Sequence, residues 1–235
     1  MANFWVLRRY EGNLNNKKAL LIFSHWGAPL WPYQWLAKYF ADYRVIIYQC
    51  PSSLLSSDIE ATCKNFASLE SAVWRDIYCL KSKGIRDFSF YGASLGSVMA
   101  LRAANILAFA DGMVGGVVVN LSCADFPFAV WNGSATRSIR EDWESQDISY
   151  AEINKAWRYL SPINNLAHLK ETKILFFASK QDSVMNFPNV MDLTGTFAAN
   201  FPKAEIHTNA FLGHYLGGAK NFLRVRTMRK FLDKP

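Results

Sequence analysis

Along most of the chain, short unbroken apolar runs alternate with longer stretches whose apolar positions recur every three or four residues. "FWVLRRY" (Phe4 to Tyr10) and "ALLIFSHW" (Ala19 to Trp26) predict strands, parted by the turn-rich "EGNLNNKK". "PYQWLAKYFAD" (Pro32 to Asp42) predicts a helix with proline at its first position. "RVIIYQC" predicts a buried strand. The following stretch carries Ile59, Cys63, Phe66, Leu69, Val73, Ile77 and Leu80 at helical steps and stops at Gly84. Then come a strand from Phe88 to Tyr91, a helix from Leu95 to Phe109 and a strand from Met113 to Leu121. Near the end "KILFFAS" predicts a strand, Val190 to Asn200 a helix, "AEIHT" a strand and "GGAKNFLRVRTMRKFL" a last helix. Fully apolar strands interleaved with helices predict an α/β architecture: a mostly parallel central sheet with helices on both faces.

The alternation breaks at 122–166. That stretch is long for a connection between strands, and it holds Phe126, Phe128, Trp131, Trp143, Tyr150, Trp157 and Tyr159. Helix starts at "SIREDWE" and "SYAEINKAWRYL" make it a small helical cap inserted into a core of residues 1–121 and 167–235. An ordinary helical excursion packed against the core is the plainer reading. Phe126 and Trp131 follow the strand end most closely and are the first candidates for substrate-pocket walls.

The joint "FSFYGASLGSVMALRAAN" turns from strand to helix through Gly92, Ala93, Ser94, Leu95 and Gly96. A sheet of this kind places its ligand site at the carboxyl ends of the strands. There the glycines allow a sharp bend, and the helix N-terminus favours developing negative charge. Ser94 is thus a candidate nucleophile, although a glycine-rich joint can be merely structural. A hydroxyl needs a base, and the base an orienting acid. Asp182 follows the strand ending at Ala178, and His214 lies just before the last helix. Ser94, Asp182 and His214 occur in the chain order nucleophile, acid, base. Asp125, after an earlier strand, is the competing acid, and His25 the weaker alternative base.

These segments resemble the α/β-hydrolase superfamily over nearly the whole chain. "YGASLGS" resembles its nucleophile elbow, "SPINNLAHLKETKILFFASKQDSVM" its run into the acid, and "AFLGHYLGG" its histidine loop. "LLIFSHWGAPLWPYQWLA" resembles its oxyanion loop, but Ser24, His25, Trp26 and Gly27 stand where His-Gly-x-Gly is common. The resemblance implies the α/β-hydrolase fold, a Ser94–His214–Asp182 triad, and oxyanion donors at the backbone N–H groups of Leu95 and Trp26. It also implies a carboxylic ester or thioester as small-molecule substrate, with no metal and no organic cofactor. An amide substrate, acyl transfer, cofactor-free haloperoxidase or lyase chemistry, and a non-enzymatic receptor for a small molecule remain alternatives.

Composition adds little that competes. With 51% hydrophobic and 15% aromatic residues, the 235-residue chain can bury a large core. The net charge is +7, with Lys220, Arg224, Arg226, Arg229 and Lys230 on what reads as the solvated face of a terminal helix. No nucleic-acid motif accompanies them. Cys50, Cys63, Cys79 and Cys123 form no Cys-x-x-Cys pair, and the histidines do not fall at zinc spacing beside them. The start carries no secretory pattern and no apolar run is long enough to span a membrane, so free thiols in the cytoplasm are expected.

Overall fold

The structure, a computed structural model, describes residues 7–11, 16–111 and 114–234. The central apolar runs become buried strands, while the last strand, at the sheet edge, is half-buried to exposed. β1 (Arg8–Glu11), β2 (Lys18–Trp26), β3 (Tyr43–Cys50), β4 (Asp87–Ala93), β5 (Val114–Asn120), β6 (Ile174–Gln181) and β7 (Ala204–Gly213) form one sheet. The spatial order is β1-β3-β2-β4-β5-β6-β7. β1 runs antiparallel to β3, and every other described pairing is parallel.

Side chains alternate between two cores. Ala19, Leu21 and Phe23 of β2 point to one face with Ile46 and Tyr48 of β3, while Leu20, Ile22, Val45 and Ile47 point to the other. That is why the central stretches Leu20–Phe23 and Val45–Ile47 hold no polar residue: either face would bury it. The first core is closed by α2 (Ile59–Ser82), α3 (Leu95–Asp111) and α7 (Phe187–Asn200), the second by α1 (Trp31–Ala37) and α9 (Val225–Asp233). Asp58 starts α2 by accepting the Ala61 N–H through its side chain, at 2.9 Å. The edge strand is fastened to α2 through buried Asp76, which accepts the Tyr10 and Tyr48 hydroxyls at 2.8 and 2.9 Å and pairs with Arg8 at 3.3 Å.

Several elements depart from the sequence expectation. The start of the first strand (4–6), most of the turn that follows it (12–15) and Met113 lie outside the described residues. β7 extends to Gly213, re-pairing with Gln181 after a register shift. β6 also runs on to Gln181, so Asp182 directly follows the strand rather than standing clear of it. The last helix is two: α8 (His214–Phe222) and α9. The Arg224 N–H turns back onto the Asn221 carbonyl at 2.9 Å, and the buried Asn221 amide oxygen accepts from Asn209 at 2.8 Å. That closure frees α9 to lay Val225, Met228, Phe231 and Leu232 against the sheet. Of the basic residues there, Arg229 is paired with Asp42 and Asp233, and Arg224 lies over the Phe177 ring.

Residues 122–166 contain α4 (Phe126–Asn132), α5 (Arg137–Ser145) and α6 (Tyr150–Trp157). Their aromatic rings pack on one another and on α2. Trp131 stacks on Trp143 at 5.8 Å, Trp143 meets Trp157 edge-on at 5.3 Å, and Phe126 meets Phe66 at 5.7 Å. The buried indoles find acceptors at the entrance to α2: Trp143 donates to the Ser57 carbonyl (2.7 Å) and Trp157 to that of Ile59 (3.3 Å).

Trp131 is only half-buried, so Trp131→Ala should cost about 2 kcal/mol, below the ~3–5 kcal/mol of a fully buried tryptophan such as Trp143. Urea unfolding checks both variants. A Trp131→Ala protein as stable as wild type would remove the stack from the account of this segment.

Candidate active site

Parallel strands deliver their loops to one edge of the sheet, and the chemistry-bearing residues gather there. Ser94 occupies the one-residue joint between β4 and α3. Its φ is +51°, an unusual value for a residue with a Cβ. The glycines on either side show why the bend is possible. A Cβ on Gly92 would stand 2.5 Å from the Gly96 oxygen, and a Cβ on Gly96 would stand 2.4 Å from the Phe23 oxygen of β2. No side chain fits at either place. The joint is pinned from outside as well, since the Ser94 N–H donates to the Asn120 carbonyl at the end of β5 at 2.9 Å. The Ser97 hydroxyl donates to the Ser94 carbonyl at 2.5 Å. Ser94 remains partly exposed, with Leu95 behind it as the first residue of α3.

Asp182 follows β6 and His214 opens α8 directly after β7. His214 Nε2 lies 2.9 Å from Ser94 Oγ and its Nδ1 2.8 Å from Asp182 Oδ2. The other carboxylate oxygen of Asp182 accepts the Val184 and Met185 N–H groups at 3.0 and 2.8 Å. Asp182 is 1% exposed and His214 8%, so this chain of hydrogen bonds is shielded from water except at the serine. With Nδ1–H given to the carboxylate, Nε2 presents its lone pair to the serine hydroxyl.

The two alternatives from the sequence stand elsewhere. Asp125 is the N-cap of α4, accepting the Phe128 N–H at 3.0 Å and the Tyr150 hydroxyl at 3.4 Å. His25 faces the same cavity as Ser94, but the ring bonded to Ser94 is that of His214. His25 Nδ1 lies 2.6 Å from the Tyr33 hydroxyl, which also accepts the His25 backbone N–H at 2.8 Å. Partial burial, and then the positive charge that His214 can carry, hold the His25 pKa below the ordinary histidine value. Burial pushes the Tyr33 hydroxyl far above the usual tyrosine range and the Cys50 thiol up to about 12, so neither ionises near neutrality.

A cavity of about 540 Å³ opens in front of Ser94. Trp26, the last residue of β2, lines it, with its indole N–H anchored to the Ser52 carbonyl at 2.9 Å. Phe126 and Trp131, the expected pocket walls, do not line it, because their rings are taken up by the aromatic packing around α4. From the segment 122–166 only Ala135 reaches the cavity. Its walls come instead from Trp31, Tyr33 and Trp35 of α1 and from Tyr215, Phe222 and Leu223 in and after α8. The available signal was the aromatic run "WPYQW" directly behind the irregular "SHWGAP" loop. Among the described residues no group of three or more His, Cys, Asp or Glu side chains could hold a metal ion, and no helix is long and apolar enough to cross a membrane.

No protein-family model matches the sequence, and no curated protein matches it. Solved structures do share its architecture. A carboxylesterase of the thaumarchaeon Nitrososphaera gargenis superposes with a TM-score of 0.61 at 15% identity, over 97% of this chain and 93% of that one. MGS-M2, an alpha/beta hydrolase enzyme from a Medee basin deep-sea metagenome library, gives 0.62 at 14% identity, over 98% and 94%. The acylaminoacyl peptidase of Pyrococcus horikoshii gives 0.66 at 12% identity, covering 97% of this chain but 39% of the larger enzyme. The likeness at these identities is one of architecture, and it agrees with the mostly parallel seven-stranded sheet: the chain has the α/β-hydrolase fold.

Proposed function

We propose that the protein is a serine hydrolase that cleaves a carboxylic ester or thioester through an acyl-enzyme. The observation that carries the reading is the continuous path Ser94 Oγ–His214–Asp182, with steps of 2.9 and 2.8 Å. His214 Nε2 takes the serine proton as Oγ attacks the acyl carbonyl carbon. Asp182, held by two backbone N–H groups, keeps the imidazole in the tautomer that can accept it and stabilises the cation that results. The carbonyl oxygen becomes an oxyanion. Its expected donors are the Leu95 N–H, free of a helical partner by its position at the start of α3, and the Trp26 N–H across the joint. His214 then gives its proton to the leaving alcohol or thiol, and water activated by the same ring releases the acid. The aromatic cavity walls suit an acyl or alcohol group of apolar character, and a carboxylesterase is among the proteins sharing the architecture.

The test is turnover of a panel of ester and thioester substrates by the purified protein. Ser94→Ala should abolish it while leaving the melting temperature unchanged or slightly raised, since the strained, exposed hydroxyl serves chemistry rather than packing. Turnover near the wild-type rate in that variant would dismiss Ser94 as the nucleophile. Partition of products between water and an added thiol acceptor separates hydrolysis from acyl transfer.

The two carboxylates can be compared directly. Asp182→Asn should lower kcat by up to about 10⁴-fold, because an amide in its place favours the wrong imidazole tautomer. Asp125→Asn keeps an N-cap and should leave kcat close to wild type. The reverse ranking would assign the acid to Asp125.

A further inference from the structure

Two histidine rings face the cavity, and their hydrogen bonds give them opposite tautomers. For His214 the Nδ1 partner is a carboxylate, which accepts, so the proton sits on Nδ1. For His25 the Nδ1 partner is the Tyr33 hydroxyl, and the accounting runs the other way. That hydroxyl is buried, and its oxygen already accepts the His25 backbone N–H. Its own proton needs an acceptor, and among the described residues the only one within hydrogen-bond reach is His25 Nδ1, at 2.6 Å. The proton of the neutral His25 ring therefore sits on Nε2, the edge that Tyr33 leaves open, and the ring is exposed in the cavity wall.

The sheet brings His25 to the same end as the nucleophile, and both line one cavity. β2 and β4 are neighbours with Phe23 opposite Gly92, so His25 and Ser94 each stand two residues beyond the same paired position. The β2 backbone continues in contact with the first turn of α3, where the missing Cβ of Gly96 lets the Ser24 oxygen approach. His25 cannot serve as a second base, because Tyr33 occupies its one lone pair. Burial, and then the charge of a cationic His214, hold its pKa below the ordinary histidine value and so disfavour a second cation in the same cavity.

We propose that His25 is a catalytic side-chain donor, its Nε2–H hydrogen-bonded to the substrate oxygen that becomes the oxyanion, with Tyr33 as the residue that positions it. The proposal rests on the serine-hydrolase reading. As the bond from Ser94 Oγ to the acyl carbon forms, the carbonyl π pair moves onto oxygen and the serine proton goes to His214 Nε2. The His25 proton stays on its own nitrogen and is shared only as a hydrogen bond. The site thus joins a side-chain donor to the two backbone donors, in the stretch where Ser24-His25-Trp26-Gly27 departs from the glycine-rich loop.

The experiment combines kinetics on 4-nitrophenyl acetate and hexanoate with ¹⁵N spectra of the histidine rings. His25→Phe should lower kcat by about 10²-fold, the low end of the loss of one oxyanion donor, with KM changed by no more than a few-fold. His25→Gln, which restores an N–H donor, should recover most of that loss. In the wild-type spectrum His25 should show a protonated Nε2 and an unprotonated Nδ1, with His214 the reverse and the His25 signals assigned by their absence from His25→Gln. Tyr33→Phe should remove that tautomer preference. A folded His25→Phe protein with kcat within about twofold of wild type, or a His25 ring protonated on Nδ1, overturns the proposal. If His25→Phe does not fold, the spectrum and His25→Gln still decide. Wild-type protein that neither turns over these esters nor labels at Ser94 with a fluorophosphonate defeats the hydrolase reading instead, which keeps the two failures apart.

Discussion

The close approach of β4, α3 and β2 around Ser94 is the constraint on which the rest of the site depends. Carbonyl oxygens occupy the places where side chains on Gly92 and Gly96 would go, so the chain can turn within a single residue. Ser94 is left at positive φ, a conformation that costs of order 1–3 kcal/mol and persists only where surroundings enforce it. They do so here through the Asn120 carbonyl, the Ser97 hydroxyl and the buried strands on either side. The strain holds the hydroxyl away from the core and at the mouth of a helix N-terminus, where a developing negative charge is favoured.

Around that point the sheet acts as a ruler. Parallel strands end at one edge, so residues far apart in sequence arrive within 3 Å of each other: His214 at Ser94, 120 positions away, and Asp182 at His214, 32 positions away. Each ring nitrogen in the cavity then takes its proton state from the group behind it. A carboxylate behind His214 leaves the lone pair facing forward. A phenol behind His25 leaves the proton facing forward. On the proposed reading, one scaffold presents an acceptor and a donor to the two ends of the same bond-making event without any difference in residue type.

The parts of this arrangement written in local pattern were legible in the sequence. Buried strands such as Leu20–Phe23 and Val117–Val119 have no polar positions because both faces are covered, and Ser94, Asp182 and His214 each follow a strand. What stayed hidden depends on long-range pairing. Aromatic residues at helical spacing look alike whether they pack on one another or on a ligand, so Phe126 and Trp131 could not be told from Trp31, Trp35 and Tyr215. The end of β7 carries Asn209 and Gly213, which argue for a loop, yet Asn209 pairs with Ser179 and, after a register shift, Gly213 pairs with Gln181. The break between α8 and α9 hinges on Asn221 meeting Asn209 across the fold, a contact no periodicity records.

The central claim is that His214, steadied by Asp182, makes Ser94 the reactive nucleophile. Peptide mapping after reaction with a fluorophosphonate tests it most directly. The account predicts one adduct, on the peptide containing Ser94, formed far more slowly in His214→Ala. An adduct on another residue, or a Ser94 adduct formed as fast without His214, would contradict it.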